Sequence, residues 1–520
     1  MSHSGLYTVR PRSWVLDDIV RRTSERWSTL DDDDLAEELE DALYQERLRL
    51  KGRGGTDGDA ALLEPLARAL VRGDRRRREE AGKALVRHWA EEVHGTFSPR
   101  MYNFSTRVLP RMLQGLLTGR GRGGAELEHD WPRRLRVEGD VGLLRELCKE
   151  STLILAPTHV SNLDSPLIGL ALYQAGLPPF VYGAGLNLFS NPVMGFFMSR
   201  LGAYTVDRTK RARLYKQVLK DYSVRCLATR HHSLFFPGGT RSRSGAIETG
   251  LKKGLLGTGV VAWQEMLRRG RPDCDVYVVP LTLSFQLTLE ASTLAADYLA
   301  DAGKQRFIIT DDEFAQPRRI WSFARRVLEL DASVIAHFGA PLDVLGNPVP
   351  ELAEDRRDAS RERRAYVCDR SGQVTTDDQR DRVYTARLAD RIVQAYPRGA
   401  WVMDTHLVAW AAWTALGRRL GTRDTFRLLR IPRDGRVIDR AAFREILAEG
   451  HARVTKLASD GHCHLALSTD LDGIMATAVE RFGRYHRSAA VRPHPDGWFV
   501  EDPQLAMYYR NRLEWARLES

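Results

Sequence analysis

Hydrophobic positions recur at three- and four-residue spacing in the first part of the chain, up to about residue 118. Leu35, Leu39 and Leu43 form one series, and a second series follows at Leu109, Leu113, Leu116 and Leu117. This spacing places apolar side chains on one face of an α-helix. The acidic run at 31–34 lies where the first helix would begin, and carboxylates there complement the helix dipole. The pattern predicts an N-terminal helical region over residues 1–124.

After the glycine-rich stretch at 119–124 the pattern changes to short apolar runs that are bounded by turns and separated by helical stretches. This alternation is typical of α/β domains, in which helices flank a sheet. We therefore predict an α/β domain over residues 125–345. The best strand candidates are Thr152–Thr158, Ser233–Pro237, Val276–Phe285 and Ser333–Gly339.

The remainder of the chain divides into a charged, strand-poor segment and a mostly helical region. We interpret residues 346–380 as a linker and residues 381–520 as a helical C-terminal region. The segment 401–420 carries three tryptophans and ends in two arginines, so it fits either a buried core or a membrane surface. Core packing is the favoured interpretation.

Residues 165–199 contain no charged side chain. Prolines at 166, 178, 179 and 192 divide the segment into pieces too short to cross a bilayer as one helix. Two interpretations stay open: a buried core segment, or an acyl-chain pocket or interfacial surface lying on a membrane.

Composition narrows the function classes. Hydrophobic residues make up 43% of the 520 residues and charged residues 28%, which is typical of a chain that folds in water. The 78 basic and 68 acidic residues give a net charge of +10, which favours polyanionic partners such as nucleic acid, anionic lipid or phosphorylated substrates. Nucleic-acid binding would require interleaved basic and aromatic residues, and no such module is legible. We expect no nucleic-acid partner.

The five cysteines are odd in number and far apart, at 148, 226, 274, 368 and 463. This spacing favours a reducing compartment without a disulfide or zinc framework. The "GHCH" stretch at 461–464 offers only three potential ligands on alternating faces, so packing is favoured there over metal binding. No apolar signal-peptide segment follows Arg10 and Arg12, and we expect a cytosol-facing protein.

Candidate chemistry begins directly after the first predicted strand. His159 follows the strand that ends at Pro157, and Asp164 stands five residues further on, where a helix would begin. Open α/β sheets bind ligands at this edge, and a carboxylate on a histidine fixes its tautomer for general-base work. The spacing alone is weak evidence. Ser161 between them is interpreted as a helix cap rather than a nucleophile.

A second constellation follows the next strand, in "FFPGGTRSRSG" at 235–245. The glycine pair Gly238 and Gly239 offers backbone N–H groups, and Arg241 and Arg243 at i, i+2 lie on one side of an extended segment. Two guanidiniums beside backbone donors suit a phosphate monoester. A surface turn with two solvated arginines is the alternative.

These segments stand in order with "TVDR" at 205–208 and "VVPLTLSF" at 278–285. The ordered set resembles the four sequence blocks of the glycerophospholipid acyltransferase superfamily. Its first block is matched by His159 and Asp164, and its second by Asp207 and Arg208. The third block, F-P-E-G-T-R-S, is matched except at one position, and the fourth ends in Val-Pro, matched by residues 279 and 280.

The resemblance implies a mixed sheet flanked by helices and an acyl transfer without metal or nucleotide cofactor. An acyl-CoA or an acyl carrier protein would be the co-substrate. The resemblance assigns His159 and Asp164 as the catalytic pair. It further implies that the acceptor phosphate is bound by Arg241, Arg243 and Arg208. The backbone of Gly238, Gly239 and Thr240 would stabilise the oxyanion.

The resemblance leaves the acceptor open. The length of the chain favours glycerol-3-phosphate, while lysophosphatidate and dihydroxyacetone phosphate are alternatives. Gly238 stands where the third block carries Glu, and Glu248 is a candidate to replace that carboxylate. This departure also motivates a non-enzymatic alternative, a weakened acyltransferase-like lipid-binding protein. We expect peripheral attachment to the cytosolic face of the cell membrane.

Overall fold

The computed structural model describes residues 12–53, 57–95, 97–98, 100–101, 135–186, 192–271, 275–302, 333–486 and 488–518. The predicted helical series at 109–117 lies outside these residues. Within the part of the chain that the structure describes, we find no helix with the length and apolar character that a bilayer crossing requires.

Four helices form the N-terminal region: α1 Arg12–Trp27, α2 Asp32–Arg53, α3 Asp57–Arg72 and α4 Arg75–Val93. As predicted, α2 begins in the acidic run, where Asp31 accepts the Asp34 N–H at 2.8 Å. The apolar faces of these helices pack on the neighbouring α/β domain. A buried arginine fixes this contact, because Arg225 pairs with Asp18 of α1 and with Glu265 of the domain.

The α/β domain contains an eight-stranded mixed sheet flanked by helices, which confirms the predicted fold class. The strands are β1 Leu135–Gly139, β2 Thr152–Pro157, β3 Val181–Gly185, β4 Ala203–Val206, β5 Ser233–Leu234, β6 Val276–Phe285, β7 Val334–Phe338 and β8 Leu342–Asp343. The helices are α5 Val141–Glu150, α6 Asp164–Gln174, α7 Pro192–Arg200, α8 Arg213–Ala228, α9 Lys253–Leu256, α10 Thr258–Arg268 and α11 Ala291–Ala302.

The strand order is β1-β7-β6-β2-β5-β3-β4, with β8 paired to β6. Strands β6, β2, β5, β3 and β4 run parallel, whereas β7 and β8 are antiparallel to β6. Every residue of β2 and of β6 is buried, as expected for parallel strands covered on both faces. The strands β2, β6 and β7 confirm the predictions, while β5 is shorter than predicted.

The C-terminal part of the chain contains α12 Ala353–Arg364, α13 Asp378–Arg398, β9 Trp401–Met403, α14 Asp404–Leu420, α15 Thr425–Leu429, β10 Val437–Ile438, α16 Arg440–Ser459, β11 His464–Ala466, α17 Leu471–Tyr485, β12 Arg492–His494, β13 Gly497–Phe499 and α18 Pro503–Asn511. Helix α14 is the centre of this region, and Trp410 and Trp413 are buried in its core. Core packing of the segment 401–420 is thereby confirmed.

Part of the segment 346–380, the predicted linker, packs on the α/β domain. Arg363 of α12 is buried, and its guanidinium pairs with Asp275 at 2.6 Å and with Asp343 at 3.1 Å. The assignment of the whole segment as a linker stays a prediction.

Candidate active site

The site lies at the carboxyl edge of the sheet, where three neighbouring strands end. Strand β2 pairs with β5 on one side and with β6 on the other, all in parallel. The segments after β2 and β5 therefore leave the sheet next to each other. They are directly joined, because the Ser242 N–H donates to the His159 carbonyl oxygen at 2.8 Å. The structure thus brings the first and third predicted blocks together.

His159 and Asp164 form a hydrogen-bonded pair. The distance from His159 Nδ1 to Asp164 Oδ2 is 2.7 Å, and the Asp164 side chain is fully buried at the first residue of α6. The same carboxylate oxygen accepts the backbone N–H groups of Val160 and Ser161, at 2.6 and 3.0 Å. These bonds fix the carboxylate, which in turn orients the imidazole. The Nε2 atom is therefore the nitrogen that can accept a proton from a substrate.

The imidazole also stacks on an aromatic ring from the other loop. The centroids of the His159 and Phe236 rings are 4.1 Å apart, with an angle of 23° between their planes. The side chain of His159 is 17% exposed, so the ring is held on most sides and still reaches solvent. A histidine held in this way is suited to act as a general base.

Glu290, which follows β6, connects the two loops. Its carboxylate accepts the Ser161 hydroxyl and the Asn162 N–H, each at 2.8 Å, and lies 3.6 Å from the Arg241 guanidinium. Burial raises the pKa of Glu290, and these three contacts oppose the rise. Leu163, and not Ser161 as predicted, holds the cap position of α6; the Ser161 hydroxyl donates to Glu290 and accepts the Leu163 N–H at 3.2 Å.

Arg241 and Arg243 lie on the loop after β5, with 29% and 33% of their side chains exposed. Arg243 lies 3.8 Å from Asp301 of α11, a carboxylate that is itself mostly exposed. Both guanidiniums are therefore accessible to a ligand. Among the residues that the structure describes, a phosphate would compete with one long carboxylate contact at each arginine.

The end of this loop is held by the C-terminal region. The side chain of Asn511 donates to the Ser244 carbonyl at 2.8 Å, and Arg512 donates to the carbonyls of Gly245 and Leu283, both at 3.1 Å. A Cβ on Gly245 would lie 2.2 Å from the Tyr508 carbonyl oxygen, and φ at this residue is +85°. Only glycine fits where the loop meets α18.

Arg208 follows β4, which is three strands from β2. Adjacent strands are about 4.8 Å apart, so β4 lies about 14 Å from β2. Arg208 is exposed, and no contact among the described residues joins it to Arg241 or Arg243. Its role in phosphate binding stays a prediction.

The glycine turn at 238–239 is tightly surrounded. The Gly239 N–H, one of the predicted oxyanion donors, donates to the Phe236 carbonyl at 3.0 Å within the turn. The predictions for Gly238 and Thr240 stay predictions. A Cβ on Gly239 would lie 2.6 Å from Lys252 Nζ, so an ammonium group lies directly on the turn.

Sequence reasoning missed Glu290, Lys252 and Arg512. Glu290 carried a signal, because it is the only charged residue between Asp275 and Asp297. A lone acidic residue in an apolar run after a strand indicates a specific partner. Arg512 carried no signal of this kind, since its partners lie more than 200 residues away along the chain.

Comparison with known proteins agrees with this geometry. Residues 135–284 match the family model described as Acyltransferase. The acyltransferase domain of this chain is therefore residues 135–284. This acyltransferase domain contains β1 to β5, all of β6 but its last residue, and both loops of the site.

Several relatives that match this chain are named glycerol-3-phosphate acyltransferase. The protein of that name from Actinobacillus succinogenes is 31% identical over 235 residues, 45% of this chain and 26% of the relative. The one from Haemophilus ducreyi is 30% identical over 230 residues, 44% of this chain and 25% of the relative. The one from Xylella fastidiosa strain M12 is 27% identical over 217 residues, which are 41% of this chain and 23% of the relative. The chain spans about a quarter of the length of these relatives.

Proposed function

We propose that this chain transfers a fatty acyl group from an acyl thioester to sn-glycerol-3-phosphate. The observation that carries the proposal is the junction of the His159–Asp164 pair with the arginine loop at one sheet edge. One loop offers a base for a hydroxyl, and the other offers cations for a phosphate. Glycerol-3-phosphate carries both groups, and it is the substrate named in the relatives.

The residues account for each step of the transfer. The guanidiniums of Arg241 and Arg243 bind the acceptor phosphate. His159 Nε2 takes the proton of a glycerol hydroxyl as its oxygen attacks the thioester carbonyl. The tetrahedral intermediate then collapses, the carbon–sulfur bond breaks, and the thiolate leaves. Asp164 stabilises the imidazolium that forms, and general-base assistance of this kind contributes about 10²–10⁴-fold.

The donor is either an acyl-CoA or an acyl carrier protein, which serves as co-substrate. The proposed reaction uses no metal or nucleotide cofactor. In the described ranges, no group of three His, Cys, Asp or Glu side chains is arranged to hold a metal ion. Lysophosphatidate and dihydroxyacetone phosphate remain alternative acceptors, because they also present a phosphate and a hydroxyl.

We further propose peripheral attachment to the cytosolic face of the membrane. Three large apolar side chains of the uncharged segment are nearly half exposed, namely Tyr173, Leu186 and Phe196. Arg200 lies over the Phe196 ring, at 3.7 Å from its centroid, where it could meet anionic headgroups. Cosedimentation with anionic vesicles tests this. Release by high salt or carbonate is expected, and a requirement for detergent would contradict it.

Acyl transfer by purified protein tests the activity. Labelled glycerol-3-phosphate, lysophosphatidate and dihydroxyacetone phosphate are offered separately, each with a long-chain acyl-CoA and with an acylated carrier protein. We expect glycerol-3-phosphate to be acylated and His159→Ala to abolish the transfer. His462→Ala, which changes an exposed histidine in the turn before β11, is the matched control and retains wild-type activity. Failure of the wild type on every pair would favour the non-enzymatic lipid-binding alternative.

A further inference from the structure

Gly238 takes the place of a glutamate in the resembled third block, and the structure shows what fills the space above it. A Cβ on Gly238 would lie 3.0 Å from Glu248 Cγ and 3.2 Å from Glu248 Oε1. These contacts are tighter than ordinary van der Waals distances. The side chain of Glu248 therefore occupies the volume that a side chain at position 238 would enter.

The Glu248 carboxylate is bonded to the catalytic loop. Its Oε1 atom accepts the His159 N–H at 2.6 Å. It therefore holds the backbone of His159, while Asp164 holds the imidazole ring of the same residue. The main chain and the side chain of His159 are each fixed by a separate carboxylate.

A carboxylate in this position is costly to the fold. Burial raises the pKa of Glu248, and the charge of Arg512 opposes the rise. The Arg512 guanidinium is itself buried and donates to the carbonyls of Gly245 and Leu283. Buried charges of this kind are concentrated at functional sites, because a stable core alone does not require them.

We propose that Glu248 is a positioning residue for His159 and supplies the carboxylate that the third block otherwise carries at the position of Gly238. Gly238 is the steric partner of this arrangement, because a Cβ there would press on Glu248 at 3.0–3.2 Å and a longer side chain would compete with it for the same space. The backbone at Gly238 does not require glycine, since its φ lies outside the left-handed region. The reason for glycine is the space that Glu248 fills.

The exchange of the two residues tests this inference. Five variants are compared with the wild type: Glu248→Gln, Glu248→Ala, Glu248→Gly, Gly238→Glu, and the double variant Gly238→Glu/Glu248→Gly. We expect Glu248→Ala to lower kcat by about 10–100-fold, because the loss of one hydrogen bond to a charged group has an effect of this size. Gly238→Glu alone lowers kcat as well, because two carboxylates compete for one space. The double variant regains activity, which yields a large coupling between the two sites.

A second measurement does not depend on acyl transfer. Protein with nitrogen-15 in its 14 histidines gives one backbone amide signal for each of them, and His159→Ala identifies the signal of His159. A short bond to a carboxylate shifts an amide proton downfield. We expect this signal to move upfield in Glu248→Gln and Glu248→Ala and to return downfield in the double variant.

Two controls separate positioning from general effects. Glu449→Gln removes a carboxylate paired with Arg418 in the C-terminal region, and Gly250→Glu adds one where nothing lies within 4 Å. Neither moves the His159 signal or kcat.

The inference rests on the proposed function for its kinetic readout only. If the wild type transfers no acyl group, the His159 amide signal still tests whether Glu248 holds the backbone of His159. An unchanged His159 signal in Glu248→Ala would overturn the proposal, as would a double variant as impaired as the product of its two single changes.

Discussion

The two loops of the site lie at the same sheet edge but are stabilised in different ways. The loop after β2 is held within the acyltransferase domain by buried carboxylates, which bond the ring and backbone of His159. The loop after β5 carries partly exposed arginines, and its end is held by the C-terminal region. The group that we propose does the chemistry is fixed tightly, whereas the groups that we propose bind phosphate keep access to solvent. Four changes test this difference, from the largest expected effect to the smallest.

The largest effect is expected at Asp164. The Asp164→Asn variant keeps the shape but loses the charge that orients and stabilises the imidazolium. We expect kcat to fall by about 10²–10⁴-fold with little change in the acceptor KM. Steady-state kinetics measure both. Asp496→Asn, in the exposed turn between β12 and β13, is the control. A fall in KM with an unchanged kcat in Asp164→Asn would contradict the role proposed for Asp164.

Glu290 contacts both loops, so we expect its substitution to affect both the rate of acyl transfer and the binding of the acceptor. In Glu290→Gln the bonds to Ser161 and Asn162 become neutral and the attraction to Arg241 is lost. We expect kcat to fall and the acceptor KM to rise, each by about 10-fold. Glu138→Gln at the end of β1 is the control. A variant in which only one parameter moves would show that Glu290 serves one loop.

A smaller effect is expected from the contact outside the domain. Asn511→Ala removes one hydrogen bond to Ser244 and loosens the end of the arginine loop. We expect the acceptor KM to rise by about 2–10-fold while kcat stays near wild type. Gln504→Ala, exposed on the same helix, should leave both unchanged. A lowered kcat with an unchanged KM would show that Asn511 acts on the loop of His159 and would contradict the prediction.

The smallest effect is a gain of stability at Glu248. Burial raises its pKa above the ordinary value of 4.5, so the charged form is disfavoured in the folded protein. At pH values above the pKa that Glu248 has in the folded protein, its charge lowers the free energy of unfolding. This loss of stability disappears as the pH falls through that pKa and Glu248 becomes protonated. We expect Glu248→Gln to be more stable than wild type at neutral pH. Denaturant unfolding at several pH values should show the difference vanish below pH 4.5.

The domain and its hydrogen-bonded His159–Asp164 pair could be predicted from the sequence because both depend on short-range patterns. Strands β2 and β6 are apolar runs bounded by polar residues, and His159 and Asp164 lie on one loop. The packing of Arg363, within the predicted linker at 346–380, could not be predicted. Its guanidinium pairs with Asp275 and Asp343, and pairing with distant residues leaves no local signal.

Contacts that complete the site are also long-range. Glu290 lies 129 residues from Ser161, and Arg512 lies 267 residues from Gly245. Neither separation produces a periodic pattern, so their roles follow only from the folded structure. The comparison of Gly238 with the resembled block did direct attention to Glu248, and the structure places that side chain on Gly238.

Isothermal titration calorimetry of glycerol-3-phosphate with three proteins separates acceptor binding from chemistry: wild type, His159→Ala, and Arg241→Ala/Arg243→Ala. We expect His159→Ala to bind the acceptor like wild type without acylating it. The double arginine variant should bind at least about 10-fold more weakly, because charge-assisted bonds to the phosphate are lost. Wild-type affinity in the double arginine variant would contradict the division of binding and chemistry between the two loops.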